Sequence, residues 1–246
     1  MSNLKTFLYN LKSRKKRKFY LDLMFPKDDY HLKYFGHQHG KAPRKFVAEI
    51  FPRIKKYQLI NIHKYFDLDP GTSLEAKELV ELISIAKYIN AKEIIEVGTF
   101  NGCAALNLAT NLPESTITTI DLPVDEEVDI NDIPEKDVNV TDRNGVGRCF
   151  KGTQYENRIR QVFADSMKLD WNTFGKKFDL IFIDGCHHYK YVKKDSENAL
   201  AHLNEGGIIL WHDYGQSEGV SKAVDEVESM EVIAIKGTRF AIGLNK

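Results

Sequence analysis

From residue 73 onward, short runs of β-branched and apolar residues alternate with longer stretches of helical periodicity. That alternation restricts the chain to a parallel sheet with helices on its faces. The first helical stretch carries Leu79, Leu82, Ile83 and Ala86 on one face and runs to Asn90; Thr72 or Ser73 can cap it, and Glu75 and Glu78 favour its positive end. Strands are expected at 93–98, 116–122, 159–165, 179–184 and 207–213, with helices at 103–110, 189–203 and 220–230. The last segments, 231–236 and 239–244, flank Gly237-Thr238 and read as a hairpin. The expected architecture is α/β: a Rossmann-like, doubly wound, mostly parallel seven-stranded sheet with a C-terminal antiparallel hairpin. An N-terminal helical extension precedes it, with Leu4, Phe7, Leu8 and Leu11 at helical spacing.

Two units follow from this pattern: a basic extension over 1–72, read as a cap or as a substrate or oligomer element, and an α/β body over 73–246. Residues 1–72 hold 16 basic and 6 acidic side chains, a net +10, whereas the remainder holds 19 and 29, a net −10. Such asymmetry fits a nucleic-acid or anionic-membrane contact, or docking of one segment on the other. Within the body, 123–158 is long for a connection and begins with Asp125, Glu126, Glu127, Asp129 and Asp132, so it reads as an acidic insertion or lid. No apolar run is long enough to span a bilayer, and the start of the sequence lacks the apolar core of a signal peptide. Cys103, Cys149 and Cys186 form no even framework and no metal spacing, so they read as packing residues in a reducing, cytoplasmic chain.

The chemistry concentrates at strand ends. Glu96-Val-Gly-Thr-Phe-Asn-Gly102 links the first strand to its crossover helix, where glycines let the backbone approach a ligand and helix amides favour anionic groups. Asp121, ending the second strand, stands where an acid can hold ribose hydroxyls. The dinucleotide fingerprint fails, because Phe100 and Cys103 stand where glycines are needed, which disfavours a nicotinamide cofactor. A second group lies in Phe182-Ile-Asp-Gly-Cys-His-His-Tyr189 and Leu210-Trp-His-Asp-Tyr-Gly215. Asp184, His187, His188, His212 and Asp213 are expected to converge there at the carboxyl ends of the sheet. Asp184 and Asp213 are hard oxygen ligands suited to Mg²⁺ or Mn²⁺, His212 can add a nitrogen, and His187 is the candidate general base.

The E-x-G-x-x-x-G turn, the acid at Asp121, Asp165-Ser166 after the third strand and the final hairpin resemble the class I S-adenosylmethionine-dependent methyltransferases over residues 73–246. The resemblance implies that Glu96, Gly98, Thr99, Phe100 and Gly102 surround the methionine part of S-adenosylmethionine. It further implies that Asp121 holds the ribose, that Asp165 and Ser166 sit near the adenine, and that Asp184 borders the cofactor. The histidine-rich run with Gly206-Gly-Ile-Ile-Leu-Trp-His-Asp-Tyr214 and Gly152-Thr-Gln-Tyr-Glu-Asn-Arg-Ile-Arg160 is similar to the bacterial branch with macrolide sugar O-methyltransferases and cephalosporin-type methyltransferases. That likeness implies catalytic His187 and Asp184, and a divalent metal on Asp184 and Asp213, to which His212 can add its nitrogen. His212 stands where members of the branch carry a carboxylate, so metal-assisted and metal-free histidine mechanisms both stay open.

The expected activity is therefore methyl transfer to a hydroxyl of a small molecule such as a sugar. Ile183-Asp-Gly-Cys186 in place of an Asn/Asp-Pro-Pro-Tyr motif argues against nucleic acid as substrate, and homo-oligomerisation is left open. The competing reading is a non-catalytic cofactor binder whose basic head recruits an anionic polymer or membrane.

Overall fold

The computed structural model describes residues 39–54, 59–63, 74–123 and 145–245. Its elements, in chain order, are β1 (Arg44–Lys45), α1 (Val47–Ile50), α2 (Ala76–Tyr88), β2 (Glu93–Val97), α3 (Cys103–Asn111), β3 (Thr116–Asp121) and β4 (Ile159–Phe163). There follow β5 (Phe178–Ile183), α4 (Tyr189–His202), β6 (Leu203–Trp211), α5 (Glu218–Asp225), β7 (Met230–Ile235) and β8 (Ala241–Asn245). They form one sheet in the order β1-β7-β8-β6-β5-β2-β3-β4. β8 pairs antiparallel with both β6 and β7, and every other pairing is parallel.

All seven expected strands are present, and β1 joins them as an eighth, parallel to β7. The strands alternate their burial between two faces: Ile94, Leu180, Phe182 and Leu210 pack on one side with α2 and α3. Ile95, Ile181, Ile183 and Trp211 pack on the other with α4 and α5. Coverage on both faces explains why these strands read as nearly continuous apolar runs. Trp211, expected in the core, is fully buried and gives its indole N–H to Ser196 at 2.9 Å.

Three local features shape the surroundings of the sheet, the first of which departs from expectation. α2 is capped at Glu75 rather than at Thr72 or Ser73: Glu75 and Glu78 form a capping box, which satisfies the first amides of the helix. The segment 59–63 is pinned to α3 by side-chain amides, Asn111 exchanging hydrogen bonds of 2.8 and 2.7 Å with the backbone of Asn61. Asn107 does the same with His63 at 2.7 and 3.2 Å, so two asparagines one turn apart imitate a strand edge. Residues 39–42 wrap the loop after β6, where Gly40 abuts the Tyr214 ring and the Tyr214 hydroxyl accepts the amides of Lys41 (2.9 Å) and Ala42 (2.8 Å). The expected helix around Leu4–Leu11, the basic run, and the acidic part of the insertion at 124–144 lie outside the described residues. The described tail of the insertion consists of tight turns folded against the β2–α3 connection, with Cys149 N–H donating to Asn101 O at 2.8 Å.

Candidate active site

The strand order reverses around β2, which lies between β3 and β5, and the crevice at such a reversal collects ligands beyond the strand carboxyl ends. One cavity opens there. Its walls include Glu96, Gly98, Thr99 and Phe100 from the end of β2, Asp184, Gly185 and His187 after β5, and His212 and Asp213 after β6. Leu74, Cys103 and Ala104 close its apolar side, and Arg239 enters from the loop between β7 and β8. The expected turn and the expected histidine–aspartate group therefore meet in one place. Gly102, Asp121, Asp165 and Ser166 are not among the lining residues.

The turn is held from several directions. Gly98 has φ +98°, and a Cβ added there would lie 2.1 Å from the Asp184 carbonyl oxygen, so backbone alone fits between β2 and β5. Phe100 is left-handed at φ 46°. Both of its peptide groups are tied, its N–H donating to Asp121 Oδ2 at 2.7 Å and its carbonyl accepting Gly147 N–H at 2.8 Å. A strained residue persists where its neighbours over-determine it in this way. The other Asp121 oxygen accepts the Leu122 N–H at 2.8 Å, so in the structure this acid braces the turn.

Glu96 is fully buried on the cavity floor. Its Oε2 accepts the Thr119 hydroxyl at 2.5 Å. Thr119 also makes a 2.7 Å hydroxyl contact with Thr99, whose oxygen accepts Gln161 Nε2 at 2.9 Å. A chain of hydrogen bonds from Gln161 through two threonines thus orients the carboxyl. Burial pushes Glu96 up to about 8, against the opposing Thr119 hydrogen bond. A buried acid facing a cavity under that penalty fits a ligand bearing a cationic amine.

Around β5 and β6 the charges are dense. His187 Nε2 lies 2.8 Å from Asp213 Oδ2. His212 Nδ1 lies 2.8 Å from Asp184 Oδ1 and 3.3 Å from Asp213 Oδ2, and is buried without being aligned for a hydrogen bond to either. One donor atom each from Asp184, His212 and Asp213 fall within 4.8 Å of one another. A nitrogen flanked by two carboxylates that it does not properly bond fits a cation held among the three. Burial opposes charge on His212, yet Asp184, Asp213 and Glu78 raise its pKa well above the ordinary histidine value. Asp213 is held well below the carboxylate range despite burial, through His212 and His187. Its backbone is left-handed as well, at φ 52°.

Sequence reasoning misplaced His188 and missed two residues. His188 does not join the group; it stands one residue before α4 and accepts the Lys190 N–H at 3.4 Å, the ordinary role of a side-chain acceptor at a helix start. Glu78 and Arg239 were not anticipated as site residues. Glu78 is fully buried, accepts Arg239 Nε (3.0 Å) and Nη2 (2.7 Å), and lies 3.2 Å from His212 Nε2. Arg239 also donates from Nη1 to Asp213 Oδ1 at 3.1 Å. A glutamate among the apolar positions of an amphipathic helix is the signal that was available.

A mostly parallel sheet closed by an antiparallel hairpin, with a glycine turn and converging acids at its switch point, is consistent with a class I, S-adenosylmethionine-dependent methyltransferase domain. Residues 95–214 match the family described as "Methyltransferase domain". A curated relative, a bifunctional methyltransferase from Rickettsia bellii (strain RML369-C), is 25% identical over 213 residues, covering 80% of this chain. The chain spans 36% of the length of that relative. Among solved structures, the S-adenosylhomocysteine-bound Podospora anserina methyltransferase PaMTH1 superposes with a TM-score of 0.55 at 16% identity, over 74% of this chain and 84% of the other. The O-methyltransferase TomG from Streptomyces achromogenes, in complex with S-adenosylmethionine, gives 0.51 at 17% identity, over 75% and 86%. These likenesses are likenesses of fold. Among the described residues no helix is long and apolar enough to cross a membrane.

Proposed function

We propose that this chain is an S-adenosylmethionine-dependent O-methyltransferase that methylates a hydroxyl of a small acceptor, a sugar being the class suggested by its sequence resemblance. The observation that carries the reading is the contact of His187 Nε2 with Asp213 Oδ2 at 2.8 Å, set in the same cavity as the Glu96–Gly98 turn. S-adenosylmethionine, when bound, supplies a methyl group made electrophilic by its sulfonium. Glu96 fits its ammonium, the backbone around Gly98 and Thr99 receives the methionine part, Asp121 offers its carboxylate to the ribose, and Asp165 and Ser166 border the adenine side.

With Nε2–H directed to Asp213, the basic lone pair of His187 is on Nδ1, and that nitrogen takes the proton of the acceptor hydroxyl. Asp213 stabilises the imidazolium that results, in the manner of the orienting acid of a hydrolytic triad. Asp184, His212 and Asp213 fit Mg²⁺ or Mn²⁺, which when bound lowers the pKa of a coordinated hydroxyl. Leu74, Cys103 and Ala104 keep one side of the cavity apolar; burial pushes the Cys103 thiol up to about 12, so it stays neutral and serves packing.

Calorimetric titration of S-adenosylmethionine into the protein, with NAD as control and with Mg²⁺ or EDTA, tests the proposal. Binding of the sulfonium cofactor alone supports it. Folded protein that binds neither ligand overturns it and turns attention to the basic head, whose binding of polyanions would then fall steeply with salt.

A further inference from the structure

We propose that Glu78 is a positioning residue for the transfer reaction: from α2 it fixes the His212 ring and the Arg239 guanidinium, and through them the Asp213 carboxylate that orients His187. This inference rests on the reading of the site as a methyltransferase centre and goes beyond it by assigning a buried acid outside the strand-end loops.

The geometry runs in two arms from one carboxylate. Glu78 Oε1 accepts the Arg239 backbone N–H at 2.8 Å and Nε at 3.0 Å. Oε2 accepts Arg239 Nη2 at 2.7 Å and the Glu75 N–H at 3.0 Å, and lies 3.2 Å from His212 Nε2. Along the first arm, Arg239 Nη1 reaches Asp213 Oδ1 at 3.1 Å. Along the second, the His212 ring turns Nδ1 toward Asp184 and Asp213, 2.8 and 3.3 Å from their nearer oxygens. Oδ1 of Asp213 is therefore engaged by Arg239, and Oδ2 is left to His187 at 2.8 Å.

An acceptor-only carboxylate at Nε2 demands that this nitrogen carry the proton, which decides the direction in which the ring presents its other nitrogen. A planar guanidinium held at two donors by one acid has its remaining donor aimed by that contact, as a lysine would not. Apart from the capping-box amide of Glu75, every donor recorded on Glu78 belongs to Arg239 or His212, both of which line the cavity. A carboxylate serving only to start α2 has no need of those partners.

The test begins with the unaltered chain. Nitrogen-resolved NMR of the imidazoles, with the His212 signals assigned by their loss in His212→Gln, is expected to show a slowly exchanging Nε2–H. A ring protonated only on Nδ1, or an Nε2–H that exchanges as fast as that of an exposed histidine, overturns the proposal without any Glu78 variant. In Glu78→Gln the Nε2–H is expected to exchange faster, while kcat falls about 10- to 100-fold and the cofactor KM shifts less than about 3-fold. Arg239→Lys is expected to lower kcat with the His212 signal retained, which separates the two arms. If Glu78→Gln unfolds, Glu78→Met/Arg239→Met replaces the pair by apolar side chains of similar length, and kcat is expected to stay depressed in that folded variant. An unchanged kcat in either folded Glu78 variant refutes the assignment. Failure of the unaltered chain to bind S-adenosylmethionine sinks the methyltransferase reading instead, and the imidazole spectra distinguish the two outcomes because they need no cofactor.

Discussion

His187 lines the cavity and Asp121 stands behind its glycine turn, so the two are asked for different work. His187 is partly exposed and pairs with Asp213, whereas Asp121 gives one oxygen to the Phe100 amide and the other to that of Leu122. His187→Ala should therefore lower kcat by about 10²- to 10⁴-fold and leave cofactor affinity nearly unchanged. Asp121→Ala should weaken cofactor binding by about 10-fold or more, because it removes the proposed ribose partner and frees the strained Phe100 turn together. Calorimetric affinities beside steady-state rates check both, and equal losses of affinity in the two variants would contradict the division of roles. The acids and histidines at strand ends were legible because an α/β sheet assigns that position to ligands. Glu78 was not, since a glutamate three positions into a helix looks like a dipole partner, which it also is through the capping box. Arg239 looked like one residue of a hairpin strand. The difference lies in depth: one-dimensional spacing gives the face of a helix, but not which neighbour arrives on it from the far end of the chain.

At the level of elements, the strands with both faces covered announced themselves by their apolar runs, and the hairpin by Gly237-Thr238. β1 did not, because two residues, Arg44 and Lys45, at a sheet edge carry no pattern; the sheet recruits them through bonds from Ala234 N–H to Pro43 O and from Lys236 N–H to Lys45 O, both about 3 Å long. What anchors the approach to β1 is Tyr214, whose hydroxyl accepts two amides and donates to Asp225 at 2.5 Å. Tyr214→Phe should cost about 1–3 kcal/mol in urea unfolding and speed amide exchange at 41–45, and unchanged exchange there would refute the anchoring role. A second element-scale prediction concerns α4. Asp195 lies within it with both oxygens buried, and burial pushes its carboxyl up to about 7 against the opposing Ser166 hydroxyl. An unfolded aspartate titrates near 3.9, so between those values the folded chain holds the extra proton and stability falls as pH rises. Asp195→Asn removes that loss. Its advantage over the unaltered chain should grow by about 2–3 kcal/mol from about pH 5 to about pH 8, and a pH-independent difference would sink the assignment.

Taken as a molecule, the chain closes a circuit: Glu78 comes from the first helix of the body, Arg239 from its last hairpin, and His187, His212 and Asp213 from the loops that follow β5 and β6. The topology makes this possible because β8 inserts between β6 and β7, carrying the loop with Arg239 back beside the β6 end. The cluster joins three carboxylates, Glu78, Asp184 and Asp213, to one guanidinium and two imidazoles. Neutrality then needs two further positive charges, which two protons on His187 and His212 or one divalent cation can supply. Cation and protons compete for the same place. Affinity for Mn²⁺ or Mg²⁺ should accordingly strengthen as pH rises, and calorimetry in buffers of different ionisation enthalpy should register proton release on binding. Asp184→Asn should remove most of that affinity. EDTA should lower the thermal midpoint only of protein previously loaded with metal, since a ligand at about 100 times its Kd adds about 2.7 kcal/mol to a site that exists in the folded chain alone. Metal binding that neither varies with pH nor releases protons would mean that the cation, if it binds, sits elsewhere, and that His212 keeps its proton as a permanent counter-charge between Glu78 and Asp184.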